Sequence, residues 1–136
     1  MLGTTKYITL EGAKRMMAAA EAEAVRNGWN MAISIVDAAG NTILFARLDE
    51  TQPGSIAVAQ NKARTAANFK RPTKALEDMV ASGRTVFLAI DGLLPLQGGV
   101  PVTIEGKVIG AVGVSGGTAA QDEQVALAAI GALGQG

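Results

Sequence analysis

The sequence contains no cysteine and no histidine among its 136 residues. The absence of cysteine excludes disulfide bonds, thiolate nucleophiles and cysteine-ligated metals. The absence of histidine excludes a Ser-His-Asp triad, histidine-ligated zinc and the side chain that most often acts as a general base near neutral pH. Acid–base chemistry therefore falls to Asp, Glu, Lys, Arg and the single tyrosine, Tyr7. We predict no metal site, because no group of carboxylates has the spacing of a metal-binding loop.

Charge is also scarce. Twelve basic and twelve acidic residues cancel, and charged residues make up 18% of the chain against 49% hydrophobic residues. The lack of a basic run argues against nucleic acid and anionic membranes as partners. No apolar run is long enough to span a bilayer and no signal peptide is recognised, so we predict one cytoplasmic domain over residues 1–136. A small monomer with so little charge would expose a wide apolar surface, which favours a homo-oligomer.

The stretch from residue 98 to residue 117 organises the prediction of the fold. It contains two short apolar strands joined at Glu105-Gly106, and glycine in the second position of a two-residue turn favours a hairpin. The second strand, Lys107 to Ser115, is apolar on both alternating faces, which predicts a central strand that is covered on both sides. Gly110 and Gly113 weaken the interior of this strand, which predicts that something packs close to its backbone there.

A glycine turn leads from this strand into a helix. Thr118 and Gln121 have the spacing of a capping box, which predicts that the helix begins there. The exposed backbone N–H groups at such a turn favour an anion. Asp122 and Glu123 lie in the first turn, however, and offer carboxylates of their own. Two interpretations therefore remain open for Ser115–Gly117, an external anion site or a turn kept for packing.

The rest of the chain is predicted from hydrophobic periodicity and from helix and turn signals. The predicted elements are a helix that Thr9 caps and that ends near Asn27, strands at 31–36 and 42–48, a helix that Ser55 caps and that ends near Phe69, and a helix that restarts at Pro72-Thr73 and stops at Gly83. Residues 84–97 have two interpretations, a hairpin turning at Asp91-Gly92 or an apolar loop over a pocket.

Three groups of polar residues have a structural and a functional interpretation. Asp37 is typical of a residue that caps its own turn. Arg47 ends an apolar strand face, so it lies either at the rim of the sheet or in a pocket. A polar stripe follows one side of the helix at 55–69, with Lys62 on its flank, and its members are Asn61, Arg64, Thr65 and Asn68. Such a stripe is usually solvated or part of an interface, although Asn and Thr are poor helix formers.

Five blocks of sequence and a terminal Ala-rich helix, taken together and in order, resemble the GlcG/HbpS family, a haem-degrading-type domain that also forms the C-terminal half of PduO-type cobalamin adenosyltransferases. These blocks are VDAAGN from Val36, ARLD from Ala46, AQNKARTAANFKRPT from Ala59, GGVP from Gly98 and GKVIGAVGVSGGTAAQDE from Gly106. The resemblance implies an α/β (α+β), profilin-like fold with a central, mostly antiparallel five-stranded sheet and helices on both faces. It also implies homo-oligomers, either hexamers or octamers.

The resemblance further implies a ligand pocket. The matched positions proposed to line it are Arg47, Lys62, Phe69, Gly98, Gly99, Ser115, Gly116 and Gly117. Some family members bind haem, which makes haem a candidate cofactor here. The absence of His and Cys weakens that candidacy, because only Tyr7, Met, Lys or a weak Ser/Thr oxygen is left to ligate iron.

Three functions remain open at the level of sequence. The first is a binding protein in which Arg47, Lys62 and the Gly116-Gly117 amides clamp the propionates of a tetrapyrrole or a small carboxylate. The second is a cofactor-independent isomerase or lyase on a small carboxylate or carbonyl compound, with Lys62 or Asp37 as the base. The third is a structural oligomer with a vestigial pocket that the protein's own side chains fill.

Overall fold

One antiparallel sheet of four strands lies between helices in the computed structural model, which describes residues 1–134. The helices are α1 (Leu10–Asn27), α2 (Gly54–Phe69), α3 (Thr73–Ala81) and α4 (Ala119–Gly131), and the strands are β1 (Ala32–Asp37), β2 (Thr42–Arg47), β3 (Gly99–Ile104) and β4 (Lys107–Ser115). The spatial order of the strands is β2-β1-β4-β3, and all three pairings are antiparallel. No helix in the described chain combines the length and the apolar composition needed to cross a membrane.

The capping residues of α1 and α4 set where these helices begin and end. The Thr9 side chain accepts a hydrogen bond from the Gly12 N–H, and Gly28 ends α1 in the left-handed region at φ 73°. Thr118 and Gln121 form the complete capping box. These predictions are confirmed. The predicted cap of α2 is wrong, because the helix already begins at Gly54 and Ser55 lies buried inside its first turn.

Different helices cover the two faces of the sheet. On one face, side chains of β1 and β4 join apolar residues of α1 and α4 in the larger core cluster. On the other face, Val36 and Ala111 contact α2 through Ala63, Ala66 and Ala67. Helices therefore cover both faces of the sheet, and the prediction of a doubly covered central strand is confirmed for β4.

Gly113 allows α2 to lie directly against β4. A Cβ atom at Gly113 would lie 2.1 Å from the Ala59 carbonyl oxygen and 2.4 Å from the Ala63 nitrogen, far inside van der Waals contact. The predicted close approach at this glycine is confirmed. It fixes the distance of α2 from the sheet, and with it the position of every α2 side chain discussed below.

The sheet has four strands within residues 1–134, so the five-stranded sheet implied by the resemblance is wrong for this chain. Residues 84–97 form no strand; they contain a 3₁₀ helix at Thr85–Ala89 followed by irregular backbone. The hairpin alternative fails there because Pro95 has no N–H to donate and because the buried Thr65 side chain binds the backbone of Gly92 and Leu94 instead. The alternative of an apolar loop is confirmed for the part that follows the 3₁₀ helix, where Leu93 and Leu94 line a cavity beside α2.

A β-bulge redirects one side chain of β4. The register with β3 passes from Val102–Gly110 to Thr103–Val108, so Ile109 is an extra residue on β4. Because a bulge places two consecutive residues against one partner, Ile109 joins the α1/α4 core and leaves the face of Ala111. Strict alternation along β4 would place Ile109 on the same face as Ala111, and the bulge breaks that alternation.

Candidate functional site

Lys62 forms a buried ion pair that joins the two layers of helices. The residue is 1% exposed on α2, and its ammonium donates to Asp122 Oδ2 at 2.9 Å and to the Val114 carbonyl oxygen at 2.8 Å. Asp122 belongs to α4, on the other side of the sheet, so the pair bridges the layers at the end of β4. An ammonium held by two acceptors and closed off from water does not reach an external ligand in this arrangement.

Two glycines make room for the Lys62 side chain. A Cβ atom at Gly98 would lie 2.6 Å from the Lys62 Nζ and 2.8 Å from the Val114 carbonyl oxygen. A Cβ atom at Gly99 would lie 2.4 Å from the Lys62 carbonyl oxygen. The Gly98-Gly99 pair, which the resemblance assigns to a ligand pocket, thus holds the space through which α2 and its lysine approach the sheet.

The glycine turn before α4 binds an anion that belongs to the protein itself. The Gly117 N–H donates to Asp122 Oδ1 at 2.9 Å, while Asp122 Oδ2 accepts from Lys62. At Gly116, with φ 142°, a Cβ atom would lie 2.3 Å from the Asn30 carbonyl oxygen, so this residue packs against the connection between α1 and β1. The carboxylate of Asp122 thus occupies the position that the sequence offered to an external anion.

Opposing effects act on the Asp122 carboxyl. Burial raises its pKa, while the hydrogen bond and the charge of Lys62 and the Gly117 N–H lower it. Desolvation favours the neutral acid and the ammonium favours the carboxylate, so the ionised state of this group depends on Lys62.

Arg47 lies away from the Lys62–Asp122 pair. It is the exposed last residue of β2 and lines a cavity of about 480 Å³ together with Asp49, Glu50 and Thr51. No carboxylate of residues 1–134 lies within 4.0 Å of its guanidinium. The Lys62 ammonium is bound to Asp122 and does not line this cavity, so the structure does not bring Arg47 and Lys62 together around one anion.

Two further predicted site residues have local roles. Asp37 Oδ1 accepts the Ala39 and Asn41 N–H groups, both at 2.9 Å, so this carboxylate caps the β1–β2 turn. Phe69 is the half-buried last residue of α2, about 10 Å along the helix axis from Lys62. Neither residue is brought to the Lys62–Asp122 pair.

A cavity that the sequence did not predict lies beside the first residues of the chain. It measures about 360 Å³, and we call it the N-terminal cavity. Its apolar part consists of Ile8, Ile104, Ile109 and Leu133, and its polar rim includes Lys6, Tyr7, Glu11 and Arg15. These residues come from four separate segments, and Ile109 faces the cavity only because of the bulge in β4. The lone Tyr7, noted as a possible iron ligand, was the only signal in the sequence.

The rim of the N-terminal cavity carries two exposed ion pairs. Lys6 contacts Glu105 at 3.2 Å, and Arg15 contacts Glu11 at 3.3 Å. Tyr7 is 74% exposed, so its phenol oxygen is accessible. Ion pairs at this level of exposure contribute little to stability, because water screens both charges. The two cations can therefore exchange their glutamate partners for the carboxylates of a ligand.

The sequence and the fold both match known proteins. The family model described as haem degrading protein HbpS-like matches residues 8–131. Protein GlcG of Escherichia coli (strain K12) is 43% identical over 112 residues, which cover 82% of this chain and 84% of GlcG. The crystal structure of a double mutant of HbpS from Streptomyces reticuli matches with a TM-score of 0.90 at 36% identity, over 98% of this chain and 92% of that chain. The crystal structure of a PduOC–heme complex matches with a TM-score of 0.87 at 29% identity, over 93% of this chain and 95% of that chain. The resemblance found in the sequence is therefore confirmed, and the chain belongs to the HbpS-like family.

Proposed function

We propose that this chain binds a small anionic ligand of the haem type, a tetrapyrrole with carboxylate groups, in the N-terminal cavity. The observation that carries the proposal is the combination of an apolar floor, two exchangeable cations and an accessible tyrosine around one half-open cavity. Ligand pockets commonly join an apolar wall to a few polar groups that fix the ligand's orientation. The structure of a PduOC–heme complex supports haem as the ligand class.

The size of the cavity suits partial burial of such a ligand. Its volume of about 360 Å³ lies near the lower end of the range for ligand pockets, roughly 300–1,000 Å³. A flat apolar ring would contact Ile8, Ile104 and Ile109, and its outer edge would stay in water. The carboxylate groups would then lie at the rim, within reach of Lys6 and Arg15. The guanidinium of Arg15 is suited to a bidentate contact with a carboxylate.

The donor set fits an iron tetrapyrrole through one residue. Tyrosine is a known axial ligand type for haem, and Tyr7 lines the N-terminal cavity. A bound haem would supply an iron centre at this position. The role of the chain's own residues is to hold it: Tyr7 offers an oxygen ligand, Arg15 and Lys6 neutralise the carboxylates, and the isoleucines exclude water from one face of the ring.

We expect ferric haem to bind saturably and to give the absorbance spectrum of a tyrosinate-ligated iron. Tyr7→Phe keeps the ring and removes the oxygen, so it should abolish that spectrum. Arg15→Ala should weaken haem binding by roughly tenfold, because it removes a charge-assisted hydrogen bond. Titration followed by absorbance measures both effects.

The matched control for this experiment is Arg26→Ala. Arg26 is also exposed on α1 and paired with a glutamate, but it does not line the N-terminal cavity. We expect it to bind haem as the unchanged chain does. Haem binding that Tyr7→Phe and Arg15→Ala leave unaltered would place the ligand at another site.

We also infer that the chain self-associates through residues 84–97. This segment exposes the large apolar side chains of Val86, Leu88, Ile90 and Leu96. Contiguous exposed apolar side chains mark interaction surfaces. Static light scattering at micromolar concentration should give a mass of at least twice the 13.8 kDa of one chain. Val86→Glu with Leu88→Glu should reduce that mass, whereas a mass of 13.8 kDa for the unchanged chain would contradict the inference.

A further inference from the structure

A third cavity lies beside the polar stripe of α2. It measures about 340 Å³ and is lined by Asn61, Arg64, Gly92, Leu93 and Leu94. We call it the Arg64 cavity. It shares no lining residue with the N-terminal cavity and takes no part in the haem binding proposed above, although Gly92, Leu93 and Leu94 belong to the segment inferred to self-associate.

The Arg64 side chain is held in place at both ends. Gly40, in the β1–β2 turn with φ 85°, lies against its stem, because a Cβ atom there would lie 2.9 Å from Arg64 Cγ. At the other end, the guanidinium donates to the Asn61 side-chain oxygen, one helical turn earlier. A charged group that is ordered before a ligand arrives loses less conformational entropy on binding.

The opposite wall of the cavity is fixed to the same helix by Thr65. The Thr65 hydroxyl accepts the Leu94 N–H at 3.0 Å. Its single proton is shared between the carbonyl oxygens of Asn61 at 2.7 Å and Gly92 at 3.3 Å. Thr65 is fully buried, so the polar stripe seen in the sequence is divided. Thr65 holds the Gly92–Leu94 wall of the cavity against α2, and Arg64 is one of the residues that line the cavity.

The charge and polarity of the lining define a class of ligand. Arg64 is the only charged residue among the lining residues, and no carboxylate in residues 1–134 lies within 4.0 Å of its guanidinium. A guanidinium carries five N–H donors and stays charged at any physiological pH. Leu93 and Leu94 present an apolar wall beside it. One cation next to an apolar wall matches one carboxylate with a short alkyl body.

We propose that the Arg64 cavity binds a small aliphatic monocarboxylate. Arg64 makes a bidentate contact with the carboxylate, and the alkyl body lies against Leu93 and Leu94. Phosphate carries the same kind of oxygen acceptors but up to two charges at neutral pH. The cavity offers it no second cation, so phosphate should bind more weakly than an alkyl carboxylate.

The test compares butyrate, acetate and inorganic phosphate as probes of the full chain. Titration followed by NMR of the Gly92 and Leu94 amides and the Arg64 side chain should show saturable binding of butyrate. Butyrate should bind several-fold more tightly than acetate. It has two more methylene groups, and each contributes about fourfold in affinity when it is fully buried. Arg64→Gln should reduce the affinity for butyrate by about tenfold or more, and Arg64→Lys, which keeps the charge but not the planar fork, should also weaken it.

The matched control is Arg47→Gln, which removes another exposed arginine that lacks a described carboxylate partner. It should leave the affinity for butyrate unchanged, as should Tyr7→Phe in the N-terminal cavity. Thermal melting of Arg64→Gln should match that of the unchanged chain, since the side chain is exposed. Four results would each overturn the proposal. They are NMR shifts that rise linearly with butyrate concentration without saturating, equal affinity for butyrate and acetate, tighter binding of phosphate than of butyrate, and loss of butyrate binding in Arg47→Gln.

Discussion

Replacing Gly113 with alanine should lower the free energy of unfolding by about 3 kcal/mol or more, at the upper end of the cost of overpacking a core. The added Cβ atom would lie 2.1 Å from the Ala59 carbonyl oxygen and 2.4 Å from the Ala63 nitrogen. Both are backbone atoms of α2, so no change of rotamer can relieve the contact. The helix must instead move away from β4, and this would loosen its contacts with Val36 and Ala111. Valine at this position should be more damaging than alanine.

Urea denaturation of the variants measures this effect, and Gly131→Ala is the matched control. Gly131 is the last residue of α4, where an added Cβ atom would meet nothing within 4 Å. The same methyl group should therefore leave stability unchanged or raise it by up to about 1 kcal/mol, since alanine is the better helix former. An unfolding curve for Gly113→Ala that coincides with that of the unchanged chain would show that α2 does not press on β4 at this point.

Gly113 also illustrates which parts of the fold are predictable from sequence. Some sequence signals depend only on the backbone next to the residue. Examples are a glycine inside an apolar strand, a threonine before a helix and a glycine after a helix. Local chemistry therefore sufficed to place Gly113, the Thr9 cap and the capping box of α4. Ser55 was misplaced by the same kind of argument, because Gly54 already has helical hydrogen bonding and the serine side chain is buried.

Local sequence patterns do not predict β-bulges or tertiary contacts, and these determine the face of Ile109 and the conformation of residues 84–97. Alternation along β4 predicts the face of each side chain until one extra residue, Ile109, shifts the pattern. Residues 84–97 carry hairpin and loop signals at once, and the choice is made by Thr65, more than 25 residues earlier in the chain. The fifth strand came from the resemblance alone, and no segment of the described chain supplies it.

The candidate site was predictable only in part, for the same reason. The resemblance drew attention to Lys62 and to the glycines at 98, 99 and 117, which lie around the Lys62–Asp122 pair, and to Gly116, which packs on Asn30 instead. Their partner, Asp122, is 60 positions from Lys62, and no rule of spacing links the two. Asp122 was noted as a competitor for the N–H groups of the glycine turn, which is the role it has. The N-terminal cavity, assembled from four segments and a bulge, left no comparable pattern.

Lys62→Met should destabilise the chain by about 3–5 kcal/mol, the usual cost of removing one partner from a buried ion pair. Methionine fills a similar volume, so the loss would come from charge and not from a cavity. Within residues 1–134, the Asp122 carboxylate would then be buried with the Gly117 N–H as its remaining hydrogen-bond partner, while burial already raises its pKa. Asp122→Asn should also be destabilising, because it leaves the Lys62 ammonium with a neutral partner in a site closed to water.

The double variant Lys62→Met/Asp122→Asn separates the interaction from the cost of either change. It buries no uncompensated charge, so we expect it to be more stable than Lys62→Met alone, and the two effects should not add. A urea double-mutant cycle measures the coupling, with the exposed pair Lys74 and Asp78 on α3 as the matched control. That control pair should show a much smaller coupling because water screens its charges. Strictly additive effects at Lys62 and Asp122 would mean that the pair does not hold α2 to α4. A strong coupling would assign the lysine to the architecture of the fold, and would explain the glycine at position 98, where a Cβ atom would lie 2.6 Å from the Lys62 Nζ.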